Sequence, residues 1–212
     1  MKNTNKETIT IRKRYDRIAG IYDRMEEIME RSRLTGWREL LWSKIEGDTI
    51  LEIGVGTGKN FRFYPAGKDM TAIDFSDKML AHARNKAALS EIKVKLLQMD
   101  VQDMEFPDDS FDTVVGTFVF CSVPDPIKGL QEVKRVVKPD GSVILLEHVL
   151  SSNRILAGLM NMINPVVVRT MGPNINRKTV ENVTKSGLIV ENVTELGAGI
   201  FKLIEARKKE PV

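Results

Sequence analysis

The stretch Ile50-Leu51-Glu52-Ile53-Gly54-Val55-Gly56-Thr57-Gly58 constrains this chain more than any other. An apolar run carrying one acid ends in three glycines on alternate positions. Such a run, closed by glycine, reads as a buried parallel strand entering a tight turn. A glycine has no Cβ, so the backbone there can take a positive φ or come close to a ligand. A helix is expected to open near Lys59, its unpaired N–H groups facing whatever binds. Strand, glycine turn and helix in this order predict a nucleotide-type site.

The rest of the chain repeats that rhythm. Strands are expected at Thr49–Val55, Met70–Asp74, Val94–Met99, Phe111–Phe118 and Ser142–His148, and a final pair at Leu188–Leu196 and Gly199–Arg207. Helices are expected at Asp77–Ala88, with Ser76 as N-cap, at Pro124–Val137 and at Asn176–Lys185. Ahead of the first strand, Ile11, Tyr15, Ile18, Tyr22, Met25 and Met29 form a helical stripe that Gly20 weakens, and a second helix covers Trp37–Ile45. Alternation at this spacing predicts an α/β fold: a Rossmann-like, mostly parallel seven-stranded sheet with helices on both faces. The last pair has no helix between its strands and predicts an antiparallel hairpin at one edge. The expected organisation is one domain over 1–212, with a helical cap (1–47), a core (48–150) and a substrate-side segment with the edge strands (151–212).

Bulk properties exclude several classes. At 212 residues the chain can bury a full core. A net charge of +3, with basic residues not interleaved with aromatics, argues against a nucleic-acid partner. The single cysteine, Cys121, cannot form an intrachain disulfide and suits a reducing, cytoplasmic setting. The start is polar, without a signal-peptide core, and no apolar run is long enough to span a membrane. No metal-ligand set is read, and a monomer or weak homodimer is expected.

A dinucleotide fingerprint spaces its glycines as GxGxxG to seat a pyrophosphate. Here Glu52 precedes Gly54, Gly56 and Gly58. A carboxylate at that place repels phosphate but can receive an ammonium group, which suits a zwitterionic ligand such as S-adenosylmethionine (SAM) and disfavours an NAD-linked oxidoreductase. Asp74 closes strand two, where an acid can accept ribose hydroxyls or act as a helix cap. Phe75 and Met79 follow, suited to sandwich an adenine, although a methionine at helical spacing also suits a core. Asp100 closes strand three; its carboxylate can accept from an adenine amino group beside the Val101 N–H, or be a solvated turn acid. Three acids at three successive strand ends favour the ligand reading.

These segments, with Ala72-Ile73-Asp74-Phe75-Ser76 and Met99-Asp100-Val101, resemble the successive motifs of class I SAM-dependent methyltransferases. Phe106-Pro107-Asp108-Asp109-Ser110-Phe111-Asp112, Val123-Pro124-Asp125, Lys138-Pro139-Asp140-Gly141 and the Tyr15-to-Asp23 segment resemble the ubiquinone/menaquinone C-methyltransferase subgroup. The likeness covers roughly residues 11–150; the last sixty residues look more like bacterial phospholipid N-methyltransferases and small thiol methyltransferases. The resemblance implies that Glu52, Gly54 and Gly56 line the methionine half of SAM and Asp74 its ribose. Phe75, Met79, Asp100 and Val101 would frame the adenine. Thr117 and Phe118 would lie beneath the sulfonium, and Tyr22 would close over the cofactor.

Methyl transfer needs chiefly alignment, with a base only where the nucleophile arrives protonated. His148, closing strand five, fits either a base or orienting donor, or a hydrogen-bonded structural residue. Tyr15 and Tyr22 are candidates to shape the acceptor pocket. The segment 153–170 carries Ile155, Leu159, Met160, Met162 and Ile163 between Arg154 and Arg169. It reads as a lid for a small or lipid-like acceptor that contacts an anionic (inner) membrane surface together with the basic first helix, or as plain core cover. A non-catalytic SAM-binding protein is the rival class.

Overall fold

A computed structural model describes residues 8–17, 34–170 and 173–208. The first helix, α1, covers residues 8–17; the remainder of the expected stripe, Ile18 to Met29, including Tyr22, lies outside the described residues. In order follow α2 (Thr35–Trp42), β1 (Thr49–Ile53), β2 (Asp69–Asp74), α3 (Asp77–Leu89), β3 (Lys95–Gln98), β4 (Phe111–Thr117), α4 (Pro126–Val136), β5 (Val137–His148), α5 (Arg154–Thr170), α6 (Thr179–Lys185), β6 (Leu188–Leu196) and β7 (Phe201–Lys208).

The strands form one seven-stranded sheet in the order β3-β2-β1-β4-β5-β7-β6. Every pairing from β3 to β5 is parallel. The expected edge hairpin is present with β7 on its inner side, antiparallel both to β5 and to β6. Alternate residues of each strand face opposite layers. Leu51, Ile53, Val114 and Leu145 meet Leu130 and Val133 of α4 and Val183 of α6. On the other face, Ile50, Val115, Ile144 and Leu146 meet Leu41 and Trp42 of α2, while Ala72 packs with Leu80 and Ala83 of α3. Burial on both faces explains why the central strands read as continuous apolar runs.

The helix starts follow capping chemistry. The Ser76 hydroxyl accepts the Met79 N–H (3.2 Å) and Asp77 sits in the first turn of α3. Asp125 accepts the Lys128 N–H (3.0 Å) ahead of Pro126 in α4. The Pro139-Asp140-Gly141 turn does not separate α4 from β5 as a free loop; it is absorbed at the start of β5, where the partner of β4 jumps from Val137 to Ser142.

One expectation is overturned. No helix opens near Lys59: the glycine loop runs through turns into a single 3₁₀ turn, Phe61–Phe63. Pro65 disfavours helical backbone at Tyr64, which is extended (φ −60°, ψ 126°), and Gly67 follows at once. Too few residues lie between Gly58 and Pro65 for a helix to form, so the site has no helix N-terminus after β1.

Candidate functional site

β1 has β2 on one side and β4 on the other, so the chain order reverses at β1. Ligands of parallel α/β sheets bind outside the strands' carboxyl ends at such a point. A cleft lies there, walled by the glycine loop, the ends of β2 and β4, the loop after each of β2, β3 and β4, and α1.

The glycines of the loop differ in what they permit. Gly54 (φ +65°) lies against Val119, whose side chain would be 2.7 Å from an added Cβ. At Gly56 (φ +56°) an added Cβ would meet nothing within 4 Å, although the residue lines the cleft. The space beside Gly56 is therefore open to a ligand and closed to a side chain only by the strain of the left-handed backbone.

Asp74, buried at the cleft wall, accepts the Gly56 N–H at 2.8 Å and the Ser76 N–H at 2.9 Å. It thus ties β2 to the glycine loop, while Ser76 and not Asp74 caps α3. Burial raises its carboxyl to about 6, against the pull of the two N–H donors, with Asp16 of α1 adding to the rise. Asp100 and Val101 also line the cleft. Both oxygens of Asp100 receive the amide of Gln102 (3.0 and 3.1 Å), and the Gln102 carbonyl accepts the Asp125 N–H at 2.9 Å. Phe75, Met79, Thr117 and Phe118 complete the expected wall. Phe118 holds φ at +58°, an uncommon conformation for a side-chain-bearing residue, with the Arg38 guanidinium 5.7 Å from its ring centre.

Glu52 is placed differently from its neighbours. It is fully buried under the loop and does not line the cleft. One oxygen accepts from Asn60 (2.6 Å), the other from the Tyr64 hydroxyl. Asn60 also reaches the Thr117 hydroxyl (3.1 Å) and receives Arg38 at 2.6 Å. Burial raises the Glu52 carboxyl to about 7, with these hydrogen bonds and Arg38 pulling it down. The acid thus joins the glycine loop to the end of β4.

His148 is brought near the cleft but not into it. It stacks edge-on against Phe201 (5.0 Å), which in turn lies 5.8 Å from Phe118. Burial lowers its proton affinity, opposed by a hydrogen bond to the Ile175 backbone.

Sequence reasoning did not single out several residues that build the cleft. Thr8 of α1 and Ser122 line it, beside Ile11 of the expected stripe and the expected pocket residue Tyr15, whose hydroxyl meets that of Ser122 at 2.5 Å. Gln102, two residues past the acid of β3, carries a signal that spacing could have supplied. Glu147 is buried within β5 and accepts the N–H groups of Val119 (2.9 Å) and Phe120 (3.0 Å), shaping the loop that carries Ser122. Burial raises its carboxyl to about 7, those N–H groups opposing the rise. An acid interrupting the apolar run Leu145-Leu146 was its visible trace. Among the described residues no cluster of ligating side chains could hold a metal ion.

The open space at Gly56, the buried Asp74 beside it and the apolar Phe75, Met79 and Val101 fit a nucleoside carrying a charged amino-acid chain. Residues 51–145 match the family described as a methyltransferase domain. The chain is 42% identical over 105 residues to a phosphatidylethanolamine N-methyltransferase of Cereibacter sphaeroides, covering 48% of this chain and 51% of that one. It is 32% identical over 146 residues to the ubiquinone/menaquinone C-methyltransferase UbiE of Geotalea daltonii (65% and 62%), and 40% identical over 121 residues to the human thiol S-methyltransferase TMT1B (51% and 49%). The matches thus span about half the length of these curated relatives. Among solved structures, a SAM-dependent methyltransferase of Thermotoga maritima superposes with a TM-score of 0.73 at 19% identity, over 92% of this chain and 99% of that one, and so shares the fold.

Proposed function

Because residues 51–145 form a class I SAM-dependent methyltransferase domain, we propose that the chain transfers a methyl group to a small lipid-like acceptor, a phospholipid amine or a quinone precursor. The observation that carries the acceptor class is α5, which exposes Ile155, Leu159, Met162, Ile163 and Val166 while hydrogen-bonded to Arg14 of α1 and to Asn174, next to elements that line the cleft. An apolar surface held beside a methyl-donor site suits a substrate that lives in lipid. In this reading residues 151–212 form the acceptor side and α1 the cap of one domain.

SAM, when bound, supplies an electrophilic methyl group on a sulfonium. Gly54, Gly56 and Asp74 would hold its amino-acid and ribose parts, while Phe75, Met79, Asp100 and Val101, with Gln102, would frame the adenine. Thr117 and Phe118 would stand at the methyl-bearing end. We assign Glu52 a positioning role, because both its oxygens are already engaged. Thr8, Ile11 and Tyr15 exclude water from above, and alignment in a dry cleft is the main demand of such a displacement. A phenolate or a deprotonated amine brings its own electron pair; a phospholipid ammonium must first release its proton to solvent, since no cleft residue is assigned to take it. His148, packed edge-on against Phe201, holds the aromatic layer that backs Phe118.

We infer that the work is done at the cytoplasmic surface of an anionic membrane; the buried free thiol of Cys121 supports the reducing compartment. A thiol acceptor is the alternative, favoured by the likeness to TMT1B. Labelled methyl from SAM, offered with phosphatidylethanolamine vesicles, a demethylated quinol and a small alkyl thiol, should appear in lipid or quinol. Label on the thiol alone would overturn the lipid reading, and label on none would favour a SAM-binding protein without catalysis.

A further inference from the structure

α5 is turned outward in an unusual way. Ile155, Leu159, Met162 and Val166 follow one another by four, three and four residues, which sets them on one helix face with Ile163 beside them. They are 87%, 50%, 70% and 65% exposed, and Ile163 is 40% exposed. Met160, on the opposite face, is buried. Among the described residues nothing covers this stripe, and no described helix is long and apolar enough to cross a membrane.

We propose that this stripe docks on the surface of an anionic phospholipid bilayer, and that docking and cofactor binding strengthen each other. The proposal rests on the methyl-donor reading of the cleft. Charge selects the occupant. α5 contains no acid and carries exposed Arg154 and Arg169 at its two ends. Parallel or antiparallel, a second copy laid on the stripe about a two-fold axis brings arginine toward arginine. An anionic surface receives both arginines, together with the exposed Lys13 and Arg17 of the adjoining α1. An apolar helix face rimmed by cations is the form that lies in the headgroup region.

The coupling follows from what holds α5. The Arg14 guanidinium of α1 donates to the Val168 carbonyl at 2.9 Å, and the next residue, Tyr15, lines the cleft. On its inner side Asn164 accepts the Ile175 N–H (2.9 Å) and donates to Asn174 (3.3 Å), whose own N–H bonds the Cys121 carbonyl at 2.8 Å. Ser122, which follows, is in the cleft wall. A filled cleft adds contacts to Thr8, Ile11, Tyr15 and Ser122. It thereby fixes the two supports that set the outward face of α5. Linkage makes the effect reciprocal: whatever factor the cofactor adds to docking, docking adds to cofactor binding.

The test measures S-adenosylhomocysteine affinity by calorimetry with and without mixed phosphatidylcholine/phosphatidylglycerol vesicles. It also measures vesicle binding by flotation with and without S-adenosylhomocysteine. Each ligand should tighten the other by the same factor, about fivefold or more, and pure phosphatidylcholine should bind far less. Ile155→Asp with Met162→Asp should abolish flotation and leave S-adenosylhomocysteine affinity in vesicle-free buffer unchanged. Asn164→Ala, which alters neither charge nor stripe, should keep flotation and reduce the coupling factor toward one. Vesicle binding with unchanged S-adenosylhomocysteine affinity would overturn the coupling. No binding to anionic vesicles, or binding indifferent to the double variant, would overturn the docking face. Failure to bind S-adenosylhomocysteine in vesicle-free buffer would strike the methyl-donor reading instead.

Discussion

The region proposed for the cofactor and the region proposed for the acceptor are built on different principles. On the cofactor side, acids buried under or beside the glycine loop receive fixed donors. Asp74 holds the N–H groups of Gly56 and Ser76, and Glu52 holds Asn60 and Tyr64. On the acceptor side, α1 and α5 are joined to each other by Arg14 and Val168 and meet the body through side-chain bonds such as Asp16 to Ser76 and Asn164 to Asn174, with apolar surface of α5 left in solvent. A buried polar group is costly to leave unpaired, whereas a bond near water is easily exchanged. The first side is thus specified by its interior and the second by what it meets. The matched methyltransferase domain, residues 51–145, contains the first region and neither α1 nor α5.

The largest effect that would break this contrast is at Gly56. Gly56→Val should lower SAM affinity by more than about a hundredfold, since the side chain enters the open space. It should cost the fold only about 1–2 kcal/mol of backbone strain. Calorimetry and thermal melting measure the two together, and near-normal affinity would mean that the loop does not approach the cofactor.

Next is the pH dependence carried by Glu147. Its folded carboxyl is raised to about 7 from an ordinary 4.5, so between those values the folded chain keeps a proton that the unfolded chain has released. This contribution to stability is complete below about 4.5 and is lost as pH rises to about 7. Glu147→Gln should match the wild type near pH 4 and exceed it near pH 8 by on the order of 2 kcal/mol. Glu52 and Asp74, raised in the same direction, would leave part of the slope in place. Melting curves across pH check this, and an unchanged slope in the variant would remove Glu147 from the account.

The smallest effect is expected at Tyr15, where the two sides meet. Tyr15→Phe removes the hydroxyl contact to Ser122 and should cost about 1 kcal/mol of stability or less. SAM affinity should fall only a few-fold, because the ring keeps its edge contact with Phe75 at 5.8 Å. A large loss of affinity would show α1 to be part of the rigid cofactor side.

What was legible in the sequence follows the same division. Strand-end acids and alternate glycines lie within short segments, so Asp74, Asp100, Gly54 and Gly56 could be found from spacing, and topology then gathered them at one edge. Ser122 and Thr8 join Gln102 at the cleft only through the fold, their distance along the chain hiding them. The helix expected after Gly58 does not form because Pro65-Ala66-Gly67 stops it within a few residues of the loop, a stop that the glycine pattern masks. His148 stands at the end of β5 as expected, but only the position of β7 reveals its packing against Phe201.

The place of β7 also bears on how such a chain can emerge from the ribosome. β5 carries Glu147, on which the cleft loop depends, yet the outer edge of β5 stays unpaired until Phe201–Lys208 is made. β6, synthesised earlier, has no neighbour in the sheet before that strand arrives. The nascent protein therefore exposes an open apolar edge until nearly its last described residues, the kind of edge that invites pairing with other chains. Loss of those eight residues would be felt first as aggregation, before any question of catalysis arose.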